Sequence, residues 1–446
     1  MVDTFACFSQ KVKKSFPVLL PAPVILGACI AATPPDSRKR RRRKLDPVNT
    51  VYLFLLQILH LNTAMTHLRH LADVSLCASA YCVARAKIPV GALELLLDYT
   101  TRLIPRQDPE CWCGRRALLI DATSALAPDT PMIRKTFRQP ANIASGCGFP
   151  MPKVLAIVDA VTGLFLRPLI CSLFEHEARR AWKLHPLLER GDVLVGDRGF
   201  CSFVHLALLT AAGVDTALRI PGPQIIGFRP HRQHGGKGQP SSRWVKQLGR
   251  CDQLVEWTKP KTRPKWMSWR QFEALPQTLL LRELRYQLQV RGQRTRCVTM
   301  VTTLLDPRLY PKDKLAELYG LRWQIEGCFR HTKTTMAMRR LKCRTVEGIK
   351  RELLMYFIAY NLVRKVMWDA AQAQQVMPNR ISFADALRRL SSGRDLTLQI
   401  TLVVVTHRPD RHEPRVKKHL NYRYRPMTKP RRILRKRPYL YADKVK

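Results

Sequence analysis

Apolar and polar positions alternate with a period that changes several times along the chain, and each change marks a different kind of element. Residues 47–60 are almost continuously apolar, and Asp46-Pro47 in front of them supplies an N-cap and a first-turn proline for a helix ending near His60. Thr63 and Ser79 can cap two further short helices, the second carrying Tyr81, Arg85 and Lys87, and Pro89 opens a fourth that reaches about Ile104. Together they predict an α-helical unit over residues 45–110. After Gly114 the pattern turns to short apolar runs, which predict strands. Ala117-Leu-Leu-Ile120 ends at Asp121, a hairpin spans 153–173 with its turn at 159–163, and Val193-Leu-Val195 leads into Gly196-Asp197-Arg198-Gly199-Phe200. Helices over about 176–188 and 202–212 lie between and after the later strands. This order predicts a mixed α/β core over residues 111–221.

Residues 222–309 have a different character. Leu284, Tyr286, Leu288 and Val290 alternate with Arg285, Gln287, Gln289 and Arg291, a period of two with a basic outer face, and 297–305 reads as another strand. The segment is therefore a β-rich insertion. Trp244, Trp257, Trp266 and Trp269 are interleaved with its Lys and Arg, a pattern that serves either for stacking on unpaired bases or for ordinary packing. The core resumes over 310–375 with a helix at 319–333 and a long apolar helix at 348–371 that can back the sheet. In the last region, 376–446, Ser382 can cap one more helix; beyond Thr406 the chain is basic and proline-interrupted, which predicts a disordered or nucleic-acid-bound tail.

Within 319–333, four polar side chains recur on one stripe. Counted from Tyr319, Arg322, Glu326 and Lys333 fall at roughly 300°, 340° and 320° for about 100° per residue, beside an apolar stripe of Leu318, Leu321, Ile325, Phe329 and Met336. An ordinary surface helix also carries charges at this spacing, worth only about 0.2–0.5 kcal/mol per pair. Here donors and an acceptor alternate along the border of an apolar face, which suits holding a metal or a phosphate. Gly320 costs about 1 kcal/mol in a helix interior, so the regular helix is expected to begin near Leu321.

Charge narrows the partners. The 446 residues include 77 Lys and Arg against 33 Asp and Glu, a formal charge of +44. So large an excess repels itself unless a polyanion is present, which makes nucleic acid the first candidate partner and an anionic membrane the second. The basic block at 38–44 fits a phosphate-contacting arm. The 13 cysteines form no paired framework, as expected of reduced thiols, and Cys111-Trp112-Cys113 is too closely spaced for the usual zinc pair. An apolar run at 16–32 follows Lys11, Lys13 and Lys14 like a signal peptide, but three prolines interrupt it and the basic block behind it opposes export. Residues 1–44 are accordingly expected to be poorly ordered, and the protein to be cytoplasmic and nucleoid-associated.

Asp121 and Asp197 both stand at the ends of short apolar strands, where a common sheet edge can bring them together, and Glu326 can complete the cluster. Asp159 and Asp192 compete, but one lies in a hairpin turn and the other opens a strand. Three close carboxylates repel one another unless a cation sits among them, and hard oxygen ligands suit Mg²⁺ or Mn²⁺. Two such ions support in-line phosphoryl transfer. An acidic metal centre in so basic a chain points to an enzyme that cuts nucleic acid.

The spacing Tyr319-x₂-Arg322-x₃-Glu326-x₆-Lys333 resembles the Y-R-E-K signature of the DDE transposases of insertion-sequence family four. Ile120-Asp121-Ala-Thr and Gly196-Asp197-Arg198-Gly199-Phe200 resemble the settings of that family's two catalytic aspartates, and the β-rich insertion before the glutamate is similar too. The resemblance covers about residues 45–371. It implies an RNase H-like catalytic core, a mixed sheet flanked by helices, preceded by a helical DNA-binding domain. It implies that Asp121, Asp197 and Glu326 hold two Mg²⁺ ions. Tyr319, Arg322 and Lys333 would bind DNA phosphates, and Trp323, Arg330 and Arg198 complete the expected DNA-binding set. The implied reaction is cleavage at the element's terminal inverted repeats and transfer of the freed 3′-hydroxyl into target DNA, by a homodimer that pairs two ends. An RNase H-like nuclease without strand transfer, and a non-catalytic DNA-binding derivative, are the alternatives. The basic C-terminus departs from the family's pattern, in which a helical dimerisation domain is expected there.

Overall fold

The computed structural model describes residues 10–34, 45–72, 75–105, 112–140, 147–221, 227–228, 233–234, 242–288, 296–393, 396, 401–406 and 429–436. The chain begins with helices α1 (Gln10–Leu19) and α2 (Ala22–Ala31). Phe16, Leu19, Leu20, Ile25 and Cys29 are buried in the main core, and the Tyr52 hydroxyl donates to the Leu20 carbonyl at 2.7 Å. The apolar run expected to be poorly ordered is thus a packed helix pair. Two of its prolines, Pro21 and Pro23, fall at the start of α2, where no amide partner is needed, while Pro17 lies inside α1. The basic block at 38–44 lies outside the described residues.

Four helices follow: α3 (Pro47–Leu59), α4 (Leu68–Ala72), α5 (Ala78–Ala86) and α6 (Val90–Thr100). Asp46 caps α3 as anticipated, accepting from the Asn49 amide at 2.7 Å. α5 starts one residue before its expected cap, with Cys77 rather than Ser79 at the N-cap. Tyr81 and Arg85 of α5 are buried, Arg85 donating to Gln57 Oε1 at 3.0 Å with its guanidinium over the Phe54 ring. Those two residues therefore pack the core.

Among the described residues the strands form one ten-stranded sheet in the order β3-β2-β1-β4-β5-β10-β9-β8-β7-β6. Its first half comprises β1 (Ala117–Ser124), β2 (Lys153–Asp159), β3 (Leu169–Cys171), β4 (Val193–Gly196) and β5 (Asp215–Arg219). β1, β2 and β3 are antiparallel neighbours, while β4 pairs in parallel with both β1 and β5. The 3-2-1-4-5 order with this change of direction is that of an RNase H-like core. Helices α7 (Pro131–Phe137), α8 (Ala178–Ala181) and α9 (Phe203–Ala211) belong to this half. The helix expected at 176–188 is only the single turn of α8, continued as a 3₁₀ segment that contains Pro186, which cannot donate to an α-helical ladder.

The insertion supplies β6 (Gln233–His234), β7 (Ser242–Gly249), β8 (Asp252–Thr258), α10 (Trp269–Glu273), β9 (Thr278–Leu288) and β10 (Arg296–Thr302). β10 pairs antiparallel with β5, so the insertion extends the catalytic sheet. Of the expected basic face of β9, Arg285 is half-buried and donates to Thr299 Oγ1 at 3.0 Å, while 289–291 lie outside the described residues. Arg282 stands on the opposite face, with Leu284 and Tyr286. That guanidinium is fully buried and clamps Asp252 through Nε at 2.8 Å and Nη2 at 2.5 Å. Trp257 is buried too and donates to Glu283 at 2.8 Å, whereas Trp269 is 60% exposed beneath the Arg263 guanidinium.

After the insertion come α11 (Lys312–Gly320), α12 (Trp323–Arg330), α13 (Val346–Ala373), α14 (Phe383–Ser391) and α15 (Arg431–Lys436). α13 is buried over most of its 28 residues because sheet and helical unit both pack on it. Asn361 at its middle accepts from the Phe165 amide and donates to the Phe165 carbonyl and Thr100, each at 2.9 Å. Near its start, Glu352 accepts from Asn62 at 2.6 Å and from the Lys342 and Cys343 amides at 2.9 and 2.8 Å. Among the described residues no helix is long and apolar enough to cross a membrane. The C-terminal stretches 407–428 and 437–446, including most of the expected basic tail, lie outside them.

Candidate active site

Alternation along β1 sends Leu118 and Ile120 into the core under α9, and Ala117 and Leu119 into the core under α13. Asp121 continues the second series, on the face beside α12. The strand does not end at Asp121, as its sequence suggested, but runs on to Ser124, so the carboxylate is mid-strand. β4 pairs with β1 in register Leu119↔Val195 and Ile120↔Gly196, which sets Asp197 next to Asp121 one step further on. Gly196 makes that approach possible: a Cβ there would meet Ile120 Cγ2 at 2.8 Å and Leu218 Cδ2 at 3.1 Å. The competing acids go elsewhere. Asp159 pairs with Arg116 at 2.7 Å at the opposite end of the strands, and Asp192 lies 3.8 Å from the same guanidinium.

The expected continuous helix over 319–333 is interrupted twice. α11 stops at Gly320, and amide bonds from Gln324 to Leu321 and from Ile325 to Arg322 make a 3₁₀-like step into α12. α12 then widens into a π turn at His331–Thr335. The four polar groups do not lie on one ideal stripe, since each interruption changes the rotation per residue. Tyr319 belongs to α11 and is buried, Glu326 to α12, and Lys333 to the π turn. Lys333 is half-buried, and desolvation, with Arg339 nearby, pushes its ammonium pKa down. Trp323, Arg330 and Arg198 are exposed.

What draws the site together is Arg322, whose side chain is 9% exposed. Its Nη1 lies 3.3 Å from Glu326 Oε1 and 3.8 Å from Asp121 Oδ2. Its guanidinium sits 4.5 Å from the Trp323 ring centre and 5.9 Å from that of Tyr319. Asp197 faces a different cation, Arg219 Nη1 at 3.9 Å, and its buried Oδ1 accepts no hydrogen bond. Burial pushes the Asp121 carboxyl up to about 6, opposed by its bond from the Ala122 amide and by Arg322, and reinforced by Glu177 and Glu326.

Glu177 and Arg219 escaped the sequence reading. Glu177 lies between a strand and a one-turn helix with no period to mark it, yet its Oε2 is 3.6 Å from where a Cβ on Gly199 would be, and its Oε1 is 3.6 Å from Lys153 Nζ. Arg219 closes β5 and looks from sequence like any strand-end cation.

Among the described residues, no three Asp, Glu, His or Cys side chains converge into a ready-made ion cage. Asp121 and Asp197 nonetheless suit a hard divalent ion: they follow the last paired residues of neighbouring parallel strands, and Asp197 has one buried oxygen that accepts no hydrogen bond. Glu326 is joined to Asp121 through Arg322.

A family model described as a transposase DDE domain matches residues 112–362. The chain is similar to the transposase InsG for insertion sequence element IS4 of Escherichia coli (strain K12), 24% identical over 430 residues that cover 90% of this chain and 91% of that protein. Among solved structures it is similar to the piggyBac transposase in the cryo-EM structure of its synaptic complex with hairpin DNA. The TM-score is 0.46 and the identity 10%, over 88% of this chain and 80% of that one.

Proposed function

Since this chain belongs to the DDE transposases, of the insertion-sequence-family-four type, we propose that Asp121, Asp197 and Glu326 are its catalytic acids. The observation that supports the assignment is the parallel register of β1 and β4, whose last pair is Ile120↔Gly196, so that Asp121 and Asp197 are the next residues on neighbouring strands. Two Mg²⁺ ions, or Mn²⁺, held by these acids would supply activation of the attacking oxygen and charge stabilisation of the leaving one. The protein's own groups do the rest. Arg322, Lys333, Arg330 and Arg198 grip backbone phosphates around the scissile bond, and Trp323 offers an exposed ring to the nucleotide beside it. Tyr319, buried behind Arg322, braces the guanidinium.

The reaction is hydrolysis at the end of an insertion sequence, at its terminal inverted repeat, followed by attack of the freed 3′-hydroxyl on target DNA. Two ends must be paired before transfer, so the working form is a homodimer on DNA. The test uses a supercoiled plasmid carrying the element's two ends, with Mg²⁺. Asp121→Asn and Glu326→Gln are expected to cut at least about 10²–10³-fold more slowly than wild type while still binding the ends. Variants that cut as fast as wild type contradict the assignment.

A further inference from the structure

The acids of this site are not left to repel one another. Arg322 Nη1 lies between Glu326 Oε1 at 3.3 Å and Asp121 Oδ2 at 3.8 Å, and almost the whole side chain is withdrawn from water. The rings of Trp323 and Tyr319 hold the guanidinium in place. The place where an ion shared by Asp121 and Glu326 would sit is therefore taken by the protein's own cation. A guanidinium and a divalent ion compete for the same carboxylate oxygens and repel each other at such range. They cannot both be well bound there.

A DNA phosphate changes that balance. The guanidinium fork matches the geometry of a phosphate and binds it bidentately, so a phosphate brought to the site draws Arg322 off the carboxylates. Resting on the catalytic reading above, we propose that Arg322 is the resident cation of the DNA-free site, and that its transfer to a DNA phosphate opens Asp121 and Glu326 to the metal. Metal loading and DNA binding are then linked, and the linkage is reciprocal: DNA tightens metal binding by the factor by which metal tightens DNA binding. A centre wired in this way stays closed to metal until an end is in place.

The experiment measures Mn²⁺ affinity directly, from the electron paramagnetic resonance signal of free Mn²⁺, on the full chain without DNA. Arg322→Gln is expected to bind Mn²⁺ about 10-fold tighter than wild type. Arg322→Lys keeps a cation beside both carboxylates, which in the wild type meet the single nitrogen Nη1, but lacks the fork that takes a phosphate bidentately; it is expected to bind Mn²⁺ as weakly as wild type without DNA. A terminal-repeat duplex is expected to tighten Mn²⁺ binding in wild type by about 10-fold, and by much less in either variant. The idea is overturned if Arg322→Gln binds Mn²⁺ no tighter than wild type. It is equally overturned if the duplex tightens Mn²⁺ binding in Arg322→Lys as much as in wild type, since the release is argued from the fork's grip on a phosphate. Asp121→Asn and Asp197→Asn, measured with the terminal-repeat duplex bound, separate the two levels: if they leave Mn²⁺ affinity unchanged there, the catalytic reading itself fails. If they weaken it while the Arg322 variants change nothing, only the present inference fails.

Discussion

Asp121, the proposed catalytic acid, illustrates how a buried carboxylate works against the stability of the protein that carries it. Burial lifts its pKa from the ordinary 3.8 to about 6, with Glu177 and Glu326 adding to the rise. The folded state thus holds this proton more tightly than the unfolded state does, and stability falls as pH rises from about 4 to about 6. Asparagine cannot ionise and escapes that cost. In the presence of a chelator, Asp121→Asn is expected to melt higher than wild type above pH 6, with the gap closing below pH 4, by thermal unfolding across pH. A variant that melts below wild type at neutral pH would show that the Arg322 contact outweighs the desolvation. Asp121 and Asp197 were legible in the sequence because a carboxylate ending an apolar run is conspicuous. Glu177 was not, since the ion pair it makes is with Lys153 of β2, distant along the chain.

At the scale of elements, the position of α12 decides whether Glu326 can reach the aspartates. Phe329, one turn beyond Glu326, stacks on Phe165 with ring centres 5.5 Å apart, and Phe165 in turn meets Phe357 and Tyr360 of α13 at 4.8 Å each. Phe165→Ala removes the hub of that cluster and is expected to destabilise the protein by about 3–5 kcal/mol in denaturant unfolding. Because α12 loses its seat, cleavage should also fall below what the lost stability explains, measured at a temperature where the variant remains folded. Cleavage equal to wild type would mean that α12 is positioned by other contacts. The helical wheel put Tyr319, Arg322, Glu326 and Lys333 on one stripe, which is the wrong geometry. The 3₁₀ step and the π turn arise from packing against β1 and α13, and a period read from sequence assumes one rotation per residue throughout.

Across the whole molecule, a single core reaches from Phe16 to Leu402, so the N-terminal helices and the catalytic sheet share their interior. The α/β order and the β-rich insertion were legible from period alone. The pairing of β5 with β10, which fuses the insertion to the sheet, was not, because it joins strands some eighty residues apart and no local pattern fixes such a partner. The formal charge of +44 sets a second property of the whole, a steep dependence of DNA affinity on salt. Lys333→Ala is expected to weaken end binding and reduce the slope of log affinity against log salt by about 0.9, one phosphate's share, in binding isotherms at several salt concentrations. An unchanged slope would remove Lys333 from the phosphate contacts.

The central claim is that a metal centre forms where β1, β4 and α12 meet. It is tested most directly by loading the protein–DNA complex with Fe²⁺ in place of Mg²⁺ and letting ascorbate and peroxide cut the polypeptide beside the bound ion. Cuts next to Asp121, Asp197 and Glu326, abolished by excess Mg²⁺, are the expected result. Cuts confined to other acidic sites, such as Asp252 and Glu283 in the insertion, would contradict it.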